Sequence, residues 1–209
     1  MIRMANEAGK PVITATHMLE SMQGNPRPTR AEASDVANAI MDGTDCVMTS
    51  AETAAGLYPA EAVHTFTKIA KAIEPMIDYK ARLADGIASS KRNMSDSIAI
   101  SAAETALAMD IKAIIAFTQS GSSAKRLAKF RPEAPIIAVT FNEEVQRSLL
   151  PVFGVHPVVT DVQNTQQNEV QLARNIALKN GLHHGDNILV VAGYPVGSGS
   201  TNMMRIVTV

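Results

Sequence analysis

Hydroxyl side chains follow two of the predicted strands and are the first candidates for chemistry. The apolar run Val12–Ala15 leads directly into Thr16, and the run Asp45–Met48 leads within two residues to Ser50. Because the carboxyl ends of parallel strands lie at one edge of an α/β fold, we expect Thr16 and Ser50 to be neighbours. Hydroxyl groups there can bind a substrate or relay a proton through water. A threonine or serine after a strand also often caps the next helix, and this alternative stays open.

A second candidate site is the loop between the predicted strand Ala113–Phe117 and the helix that follows it. The free N–H groups at the start of a helix, with small hydroxyl side chains and a glycine, form a good cradle for a phosphate group. The helix dipole supplies the positive field, so no lysine is required. An ordinary strand-to-helix turn with a serine cap is an equally good interpretation. The candidate phosphate-binding residues are Thr118, Ser120, Gly121, Ser122 and Ser123.

The third candidate is a glycine- and serine-rich loop, residues 193–202, between the last two predicted strands. It could close over an anion, although a long flexible connection between strands has a similar composition. The sequence contains neither the Gly-x-x-x-x-Gly-Lys-Ser/Thr loop that binds nucleotide phosphates nor, in this loop, a complete Gly-x-Gly-x-x-Gly dinucleotide pattern. The candidate residues of the loop are Gly197, Ser198, Gly199, Ser200 and Thr201.

No group of residues predicts a metal site. His183 and His184 are adjacent, so their side chains diverge on any regular element, and we favour an exposed loop over a metal site. Cys46 lies in an apolar run and is interpreted as a small buried apolar residue rather than as a nucleophile.

The elements that position these residues alternate along the chain. Short β-branched runs are followed by longer helical patterns, which indicates an α/β fold with mostly parallel strands. Residues 1–78 contain the end of a helix and two strand–helix units. In the first unit, Thr29 and Glu32 have the spacing of a capping box, and in the second, Pro59 opens the helix. The buried stripe predicted for that second helix is Val63, Phe66, Ala70 and Ile73.

A polar, weakly patterned stretch, residues 79–94, is predicted to be a linker, and residues 95–209 a second domain. Ser95 and Asp96 are expected to cap its first helix, which runs to about Met109. A further helix is predicted through Ala124 and Leu127, and another from Gln166 to about Asn180. The strands predicted after Ala113–Phe117 are Ile136–Val139, Val155–Val159, Ile188–Val191 and Met204–Val209.

Composition and charge limit the function. The 209 residues include 19 Lys and Arg against 20 Asp and Glu, for a net charge of −1, which argues against a nucleic-acid partner. A single cysteine excludes an intramolecular disulfide and fits a reducing compartment. No apolar run is long enough to span a bilayer, and the first residues lack a secretory signal. We therefore expect a soluble, cytoplasmic protein without a membrane partner.

Several long segments resemble one enzyme family closely. They are Lys10–Met22, Asn25–Glu32, Asp35–Ala39, Asp42–Asp45, Ser50–Ala54, Tyr58–Ala62, Thr118–Ala124 and Gly197–Asn202. Together they resemble pyruvate kinase over essentially the whole chain. The resemblance implies that residues 1–78 are the last two strand–helix units of a (β/α)8 barrel. Residues 95–209 would be the three-layer C-terminal α/β domain of the family, with a mostly parallel five-stranded sheet.

The resemblance also implies roles. Thr16 would lie beside phosphoenolpyruvate and take part in protonating the enolate, and Ser50 would belong to the adjoining proton relay. The loop Thr118–Ser123 would hold the phosphate of a sugar-phosphate activator, and the loop Gly197–Thr201 would fold over it. The family reaction transfers phosphate from phosphoenolpyruvate to ADP, giving pyruvate and ATP, with Mg²⁺ and K⁺ as cofactors, and family members are typically homotetramers.

The chain departs from the family pattern at several positions. His17 replaces glutamine, Ala51 and Ala55 replace glycine and lysine, and Gln119 replaces a basic residue of the effector loop. The Mg²⁺ and K⁺ ligands of the family and its phosphoryl-steadying lysine lie upstream of anything in this sequence. We therefore expect this chain to hold neither ion and to be inactive without the missing amino-terminal portion. The alternative is a non-catalytic module for sugar-phosphate binding or assembly.

Overall fold

The computed structural model describes residues 1–15, 17–162, 168–195 and 199–209. The chain divides into two compact units, Met1–Asp78 and Tyr79–Val209. We refer to them as the first and the second unit. The first unit contains one cluster of buried apolar side chains, and the second contains two.

The first unit alternates helices with two short strands that pair in parallel. Ile13 pairs with Cys46, and Thr14 pairs with Val47. Each strand is followed by a helix, as expected for part of a (β/α)8 barrel. Two single-turn 3-10 segments, Glu20–Gln23 and Glu74–Met76, complete the unit. Its elements are α1 (Ile2–Glu7), β1 (Ile13–Thr14), α2 (Arg30–Asp42), β2 (Cys46–Val47), α3 (Ala51–Ala54) and α4 (Pro59–Ile73).

Helix α2 begins at the predicted capping box. The backbone N–H of Glu32 donates to the hydroxyl of Thr29 at 3.2 Å, and the N–H of Thr29 donates to the Glu32 carboxylate at 2.8 Å. Two N–H groups that the first turn leaves free are thereby satisfied. Gly43 ends the helix in the left-handed region, with φ +96°, where glycine has no steric penalty.

One face of α2 and one face of α4 pack around the segment that follows β1. The stripe predicted for α4 is wrong at Val63, which is 50% exposed, whereas its neighbour Ala62 is fully buried. Phe66, Ile69, Ala70 and Ile73 continue the Ala62 side of the helix, because four-residue and three-residue steps return to the same face. The buried cluster consists of Met18, Leu19, Met22, Val36, Ala39, Ile40 and Ala62.

The second unit is built on a five-stranded sheet. The strand order is β5-β4-β3-β6-β7, and every neighbouring pair is parallel except β6 with β7. The mostly parallel sheet predicted from the sequence is therefore confirmed. The elements of this unit are α5 (Tyr79–Ala88), α6 (Met94–Ala108), β3 (Ile111–Phe117), α7 (Ser122–Lys129), β4 (Ile136–Thr140), α8 (Glu143–Leu149), β5 (Val155–Val159), α9 (Glu169–Lys179), β6 (Asn187–Ala192) and β7 (Met203–Thr208).

Helices cover both faces of this sheet. Along β3, Ile114 packs into a cluster with side chains of α5, α6, α7 and α8, whereas Ile115 packs into a second cluster with α9. Alternate residues of a strand point to opposite faces, so a strand buried on both sides is apolar throughout. This explains the continuous apolar run of β3 and gives the unit three layers.

Residues 79–94, which we interpreted as a linker, instead contain helix α5. Its side chain Leu83 is only 5% exposed and, with Ile87, packs against the cluster on one face of the sheet. The remaining residues of this helix are either polar or small, and they are exposed to various degrees. Two apolar positions four residues apart were therefore too weak a pattern to predict the helix.

Two helix starts also differ from the predictions. Helix α6 is capped by Asn93, whose Oδ1 accepts from the N–H of Asp96 at 2.9 Å, so Ser95 and Asp96 are not its cap. Helix α8 was not predicted, although Asn142 caps it by accepting from the N–H of Glu144 at 2.7 Å. The predicted start of the last helix at Gln166 lies outside the described residues.

Candidate functional site

The carboxyl ends of β1 and β2 lie side by side, because the two strands are parallel neighbours. Thr16 lies outside the described residues, so its proximity to Ser50 stays a prediction. Ser50 is exposed and precedes α3, but its hydroxyl makes no capping hydrogen bond to that helix. The alternative that the Ser50 hydroxyl serves as a helix cap therefore has no support in the structure.

A buried carboxylate connects the segments that follow the two strands. Glu52 is only 3% exposed, and its Oε2 accepts from the N–H of Ser50 at 2.7 Å. Its Oε1 accepts from the N–H of Leu19 at 3.3 Å. Gly56 allows this arrangement, since a Cβ at Gly56 would lie 2.4 Å from the carbonyl oxygen of Glu52. The sequence does not indicate this role of Glu52, because the N–H groups of Leu19 and Ser50 meet its carboxylate only after folding.

A second carboxylate anchors the same segment from another side. Besides closing the capping box, Glu32 accepts from the N–H of Ser21 at 2.7 Å and from its hydroxyl at 2.5 Å. Burial alone would raise the pKa of Glu32. The hydrogen bonds from Ser21 and Thr29 outweigh burial, so the net pKa lies below its usual value.

His17 lies close to the end of β1 in a left-handed conformation, with φ +53°. Its Nδ1 is 2.5 Å from Oε2 of Glu20, and both side chains are exposed. The residue that replaces the glutamine of the family pattern is therefore paired with a carboxylate at the surface.

In the second unit, the loop after β3 opens helix α7 without a side-chain cap. Gly121 occupies the cap position with φ +81°, and no described side chain caps the backbone N–H groups of the first turn. A Cβ at Gly121 would lie 3.1 Å from Cδ2 of Leu149, so both the conformation and the packing favour glycine. The interpretation as an ordinary turn with a serine cap is therefore not supported.

Several hydrogen-bond donors of this loop have no partner among the described residues. The backbone N–H groups of residues 119–124 donate to none of the described residues. Thr118 is 7% exposed, and its buried hydroxyl also lacks a partner within the part of the chain that the structure describes. Buried polar groups are nearly always hydrogen-bonded. Free N–H groups at a helix start, beside such a hydroxyl, can bind an anion.

The exposed serines of this loop also lie close together. The hydroxyl of Ser120 donates to that of Ser122 at 3.1 Å. The hydroxyl of Ser123, in contrast, is buried and lies 2.7 Å from the hydroxyl of Thr201. The loop before β7 therefore reaches the first turn of α7. Of its candidate residues, Gly197 and Ser198 lie outside the described residues, whereas Gly199, Ser200 and Thr201 lie within them.

Polar contacts fasten the base of the loop before β7. The N–H of Tyr194 donates to Oδ1 of Asn202 at 2.9 Å, and Nδ2 of Asn202 donates to the carbonyl oxygen of Tyr194 at 2.6 Å. The Tyr194 hydroxyl donates to the carboxylate of Glu169, which is buried at the start of α9. The sequence does not indicate this contact, because Tyr194 and Glu169 are 25 residues apart.

The remaining candidates take no part in a cluster. Cys46 is half-buried, and its burial, with a smaller contribution from the Asp45 carboxylate, raises the pKa of the thiol. Nδ1 of His183 lies 3.8 Å from Oδ2 of Asp186. Within the described ranges, no three His, Cys, Asp or Glu side chains lie close enough together to hold a metal ion. The described side chains therefore offer no acidic set that fits the Mg²⁺ of the family.

Among the helices that the structure describes, none is both long and apolar enough to cross a membrane.

The chain matches known proteins over both units. Residues 96–207 match the family model "Pyruvate kinase, alpha/beta domain", and residues 1–63 match "Pyruvate kinase, barrel domain". The pyruvate kinase of Geobacillus stearothermophilus is 50% identical over 208 residues, which are 99% of this chain and 35% of that protein. Those of Sporosarcina psychrophila and Staphylococcus aureus (strain USA300) are 48% and 51% identical over the same share of this chain and 36% of their own length. The chain thus spans about a third of the length of these relatives, and it belongs to the pyruvate kinase family.

Proposed function

We propose that this chain is the C-terminal portion of a pyruvate kinase and that its second unit binds the phosphate group of a sugar-phosphate effector. The complete enzyme would transfer phosphate from phosphoenolpyruvate to ADP in the cytoplasm. The first unit would contribute Thr16 and Ser50 to protonation of the enolate. The family matches over both units and the coverage of about a third of each relative support this proposal.

One observation carries the effector-binding part. With respect to the described residues, the start of α7 offers a run of free N–H groups and the buried, unpartnered hydroxyl of Thr118. A phosphate group has several acceptor oxygens and a negative charge, so it complements both the donors and the helix dipole. A neutral ligand would gain little from the helix dipole, and a cationic ligand would be disfavoured by it.

Calorimetric titration of the chain tests this part. The probes are inorganic phosphate, glucose 6-phosphate, ribose 5-phosphate and fructose 1,6-bisphosphate. We expect Thr118→Val to weaken binding about 10- to 100-fold, the usual effect of a lost hydrogen bond to a charged group. Because the hydroxyl has no protein partner, the unliganded variant should be at least as stable as the wild type.

Thr105→Val is the matched control, since the Thr105 hydroxyl donates within its own helix, to the carbonyl oxygen of Ser101. It should bind the probes as the wild type does. Absence of binding by the wild-type chain to all four probes would contradict the effector site.

We further propose that this chain does not catalyse phosphoryl transfer by itself. Transfer requires metal or cationic stabilisation of the moving charge, and the Mg²⁺ and K⁺ that the family uses would be bound by the remainder of the enzyme. A coupled pyruvate assay with phosphoenolpyruvate, ADP, Mg²⁺ and K⁺ should show no turnover by the chain alone. Adding the remaining part of a relative, such as the Geobacillus stearothermophilus enzyme, should restore turnover.

A second candidate function is a non-catalytic module for sugar-phosphate binding or assembly. The compactness of the second unit favours it, since this unit has its own core and contains the whole α7 site. Persistent inactivity after mixing, together with sugar-phosphate binding, would support this second function. Sedimentation of the chain would show whether it also self-associates towards the homotetramer expected for the family.

A further inference from the structure

Two consecutive polar residues in the first turn of α6 are buried without capping their own helix. Ser95 is 9% exposed and Asp96 is 4% exposed. The capping acceptor is Oδ1 of Asn93. Since buried polar side chains need partners, their contacts show what this turn does in the second unit.

Ser95 is the first member of a chain of buried hydroxyl groups. Its Oγ accepts from the backbone N–H of Thr201 at 3.1 Å, and the Thr201 hydroxyl is 2.7 Å from the hydroxyl of Ser123. All three residues are buried. The chain therefore joins the start of α6, the loop before β7 and the first turn of α7, across 106 residues of sequence.

Asp96 fastens the same turn of α6 to helix α7. Its Oδ1 accepts from Nη1 of Arg126 at 2.8 Å, and its Oδ2 accepts from the hydroxyl of Ser90 at 3.1 Å. Nη1 of Arg126 also lies 3.2 Å from Oδ1 of Asn93. The start of α6 thus holds the helix that carries the free N–H groups as well as the loop that reaches them.

We infer that Ser95 is a positioning residue of the phosphate site. It holds the N–H of Thr201, and through Thr201 it keeps the segment 199–201 against the first turn of α7. The Ser123–Thr201 pair uses one hydroxyl hydrogen, so the other remains available to an anion oxygen. This inference rests on the proposed effector-binding function and adds the element that pre-organises the site before a ligand arrives.

The physical cost of losing Ser95 falls on Thr201. Without the Ser95 hydroxyl, the buried N–H of Thr201 has no acceptor, and a buried donor without a partner is strongly disfavoured. The loop would then move to satisfy this group with water. A phosphate group would have to order the loop again on binding, which weakens affinity even though Ser95 itself need not touch the ligand.

The test compares Ser95→Ala with Ser97→Ala in the full chain. Ser97 is two residues away on α6, and its exposed hydroxyl donates only to the carbonyl oxygen of Asn93 within the same turn. We expect Ser95→Ala to speed amide hydrogen exchange of Thr201 at least tenfold and to weaken binding of the tightest of the four phosphate probes about tenfold. Ser97→Ala should leave both quantities unchanged, and Ser95→Thr, which keeps the hydroxyl, should restore both.

Each outcome decides between the proposals. Equal probe affinity of the wild-type chain and Ser95→Ala would overturn this inference alone, whether or not the exchange of Thr201 changes. A wild-type chain that binds none of the probes would overturn the proposed effector site and this inference together. If Ser95→Ala does not fold, Ser95→Cys replaces it, since the thiol keeps the shape but accepts hydrogen bonds weakly; unchanged affinity in that variant also overturns the inference.

Discussion

The central strand β3 of the second unit is paired on both sides, by β4 and β6, and is covered by helices on both faces. In the first unit, β1 and β2 comprise two residues each and, among the described residues, pair with each other alone. Ile13 of β1 is 54% exposed. A two-stranded sheet of this kind is marginal by itself. Strand pairing and burial of the sheet therefore contribute more to the second unit than to the first.

Carboxylates illustrate the same contrast. In the first unit, Glu52 and Glu32 each accept backbone N–H groups from the segment after β1. In the second unit, Asp96 pairs with Arg126, and the N–H groups at the start of α7 donate to none of the described residues. In the first unit these carboxylates thus join loops, whereas in the second unit, among the described residues, the Thr118 hydroxyl and the N–H groups that open α7 have no acceptor.

The largest loss of stability is expected from a substitution in the core of the second unit. Ile114→Ala removes a fully buried side chain from the middle of β3, and such truncations cost about 2–5 kcal/mol. Urea denaturation should show the loss in the transition that reports the second unit. Ile206→Ala on β7 is the control, since Ile206 is 46% exposed, and an equally large loss there would contradict packing as the cause.

A smaller loss is expected from Glu52→Gln in the first unit. The substitution removes the charge that strengthens the hydrogen bonds from Leu19 and Ser50, for an expected cost of about 1–3 kcal/mol. The urea transition of the first unit should shift, and that of the second should not. Glu61→Gln in the exposed first turn of α4 serves as the control; equal effects of the two substitutions would refute the buried role of Glu52.

These two substitutions also separate what the sequence could predict from what it could not. The apolar run of β3 and the Thr29–Glu32 capping box are local patterns, and both are present in the structure. Glu52 binds Leu19 across 33 residues, and Ser95 binds Thr201 across 106. No periodicity links such residues. Their roles depend on which loops the fold brings together, so they can be seen in the structure but not in the sequence.

Short helices mark the other limit of sequence reasoning. Helix α8 has seven residues, and α5 presents Leu83 as its buried residue. Periodicity needs several turns before it stands out from chance. The candidate loops at the ends of β1, β2 and β3 could be located because they depend on where strands end. That the Thr118 hydroxyl is buried and lacks a partner among the described residues could not be predicted, since burial depends on the tertiary structure.

Acid should weaken the first unit through Glu32. Its pKa is lowered in the folded state by hydrogen bonds from Ser21 and Thr29. A group with a depressed folded pKa contributes its full stability above its unfolded value, here 4.5, and loses it as pH falls through the folded value. Glu32→Gln should cost about 1 kcal/mol at neutral pH, as for a lost helix cap, and should flatten the pH dependence of the first transition below pH 4.5. The exposed Asp35→Asn should leave that dependence in place.

The smallest loss of stability is expected from Glu20→Gln. Glu20 is the third carboxylate of the first unit to be compared, after Glu52 and Glu32. Glu20 meets His17 at the surface, where an exposed polar contact contributes about 0–1 kcal/mol. The loss in the urea transition should therefore be less than that of Glu32→Gln. If Glu20→Gln cost as much stability as Glu52→Gln, burial would not determine which of these contacts contributes more to stability. The contact between His17 and Glu20 would then stabilise the left-handed backbone of His17. The segment after β1 would be held by Glu20 as well as by Glu32 and Glu52.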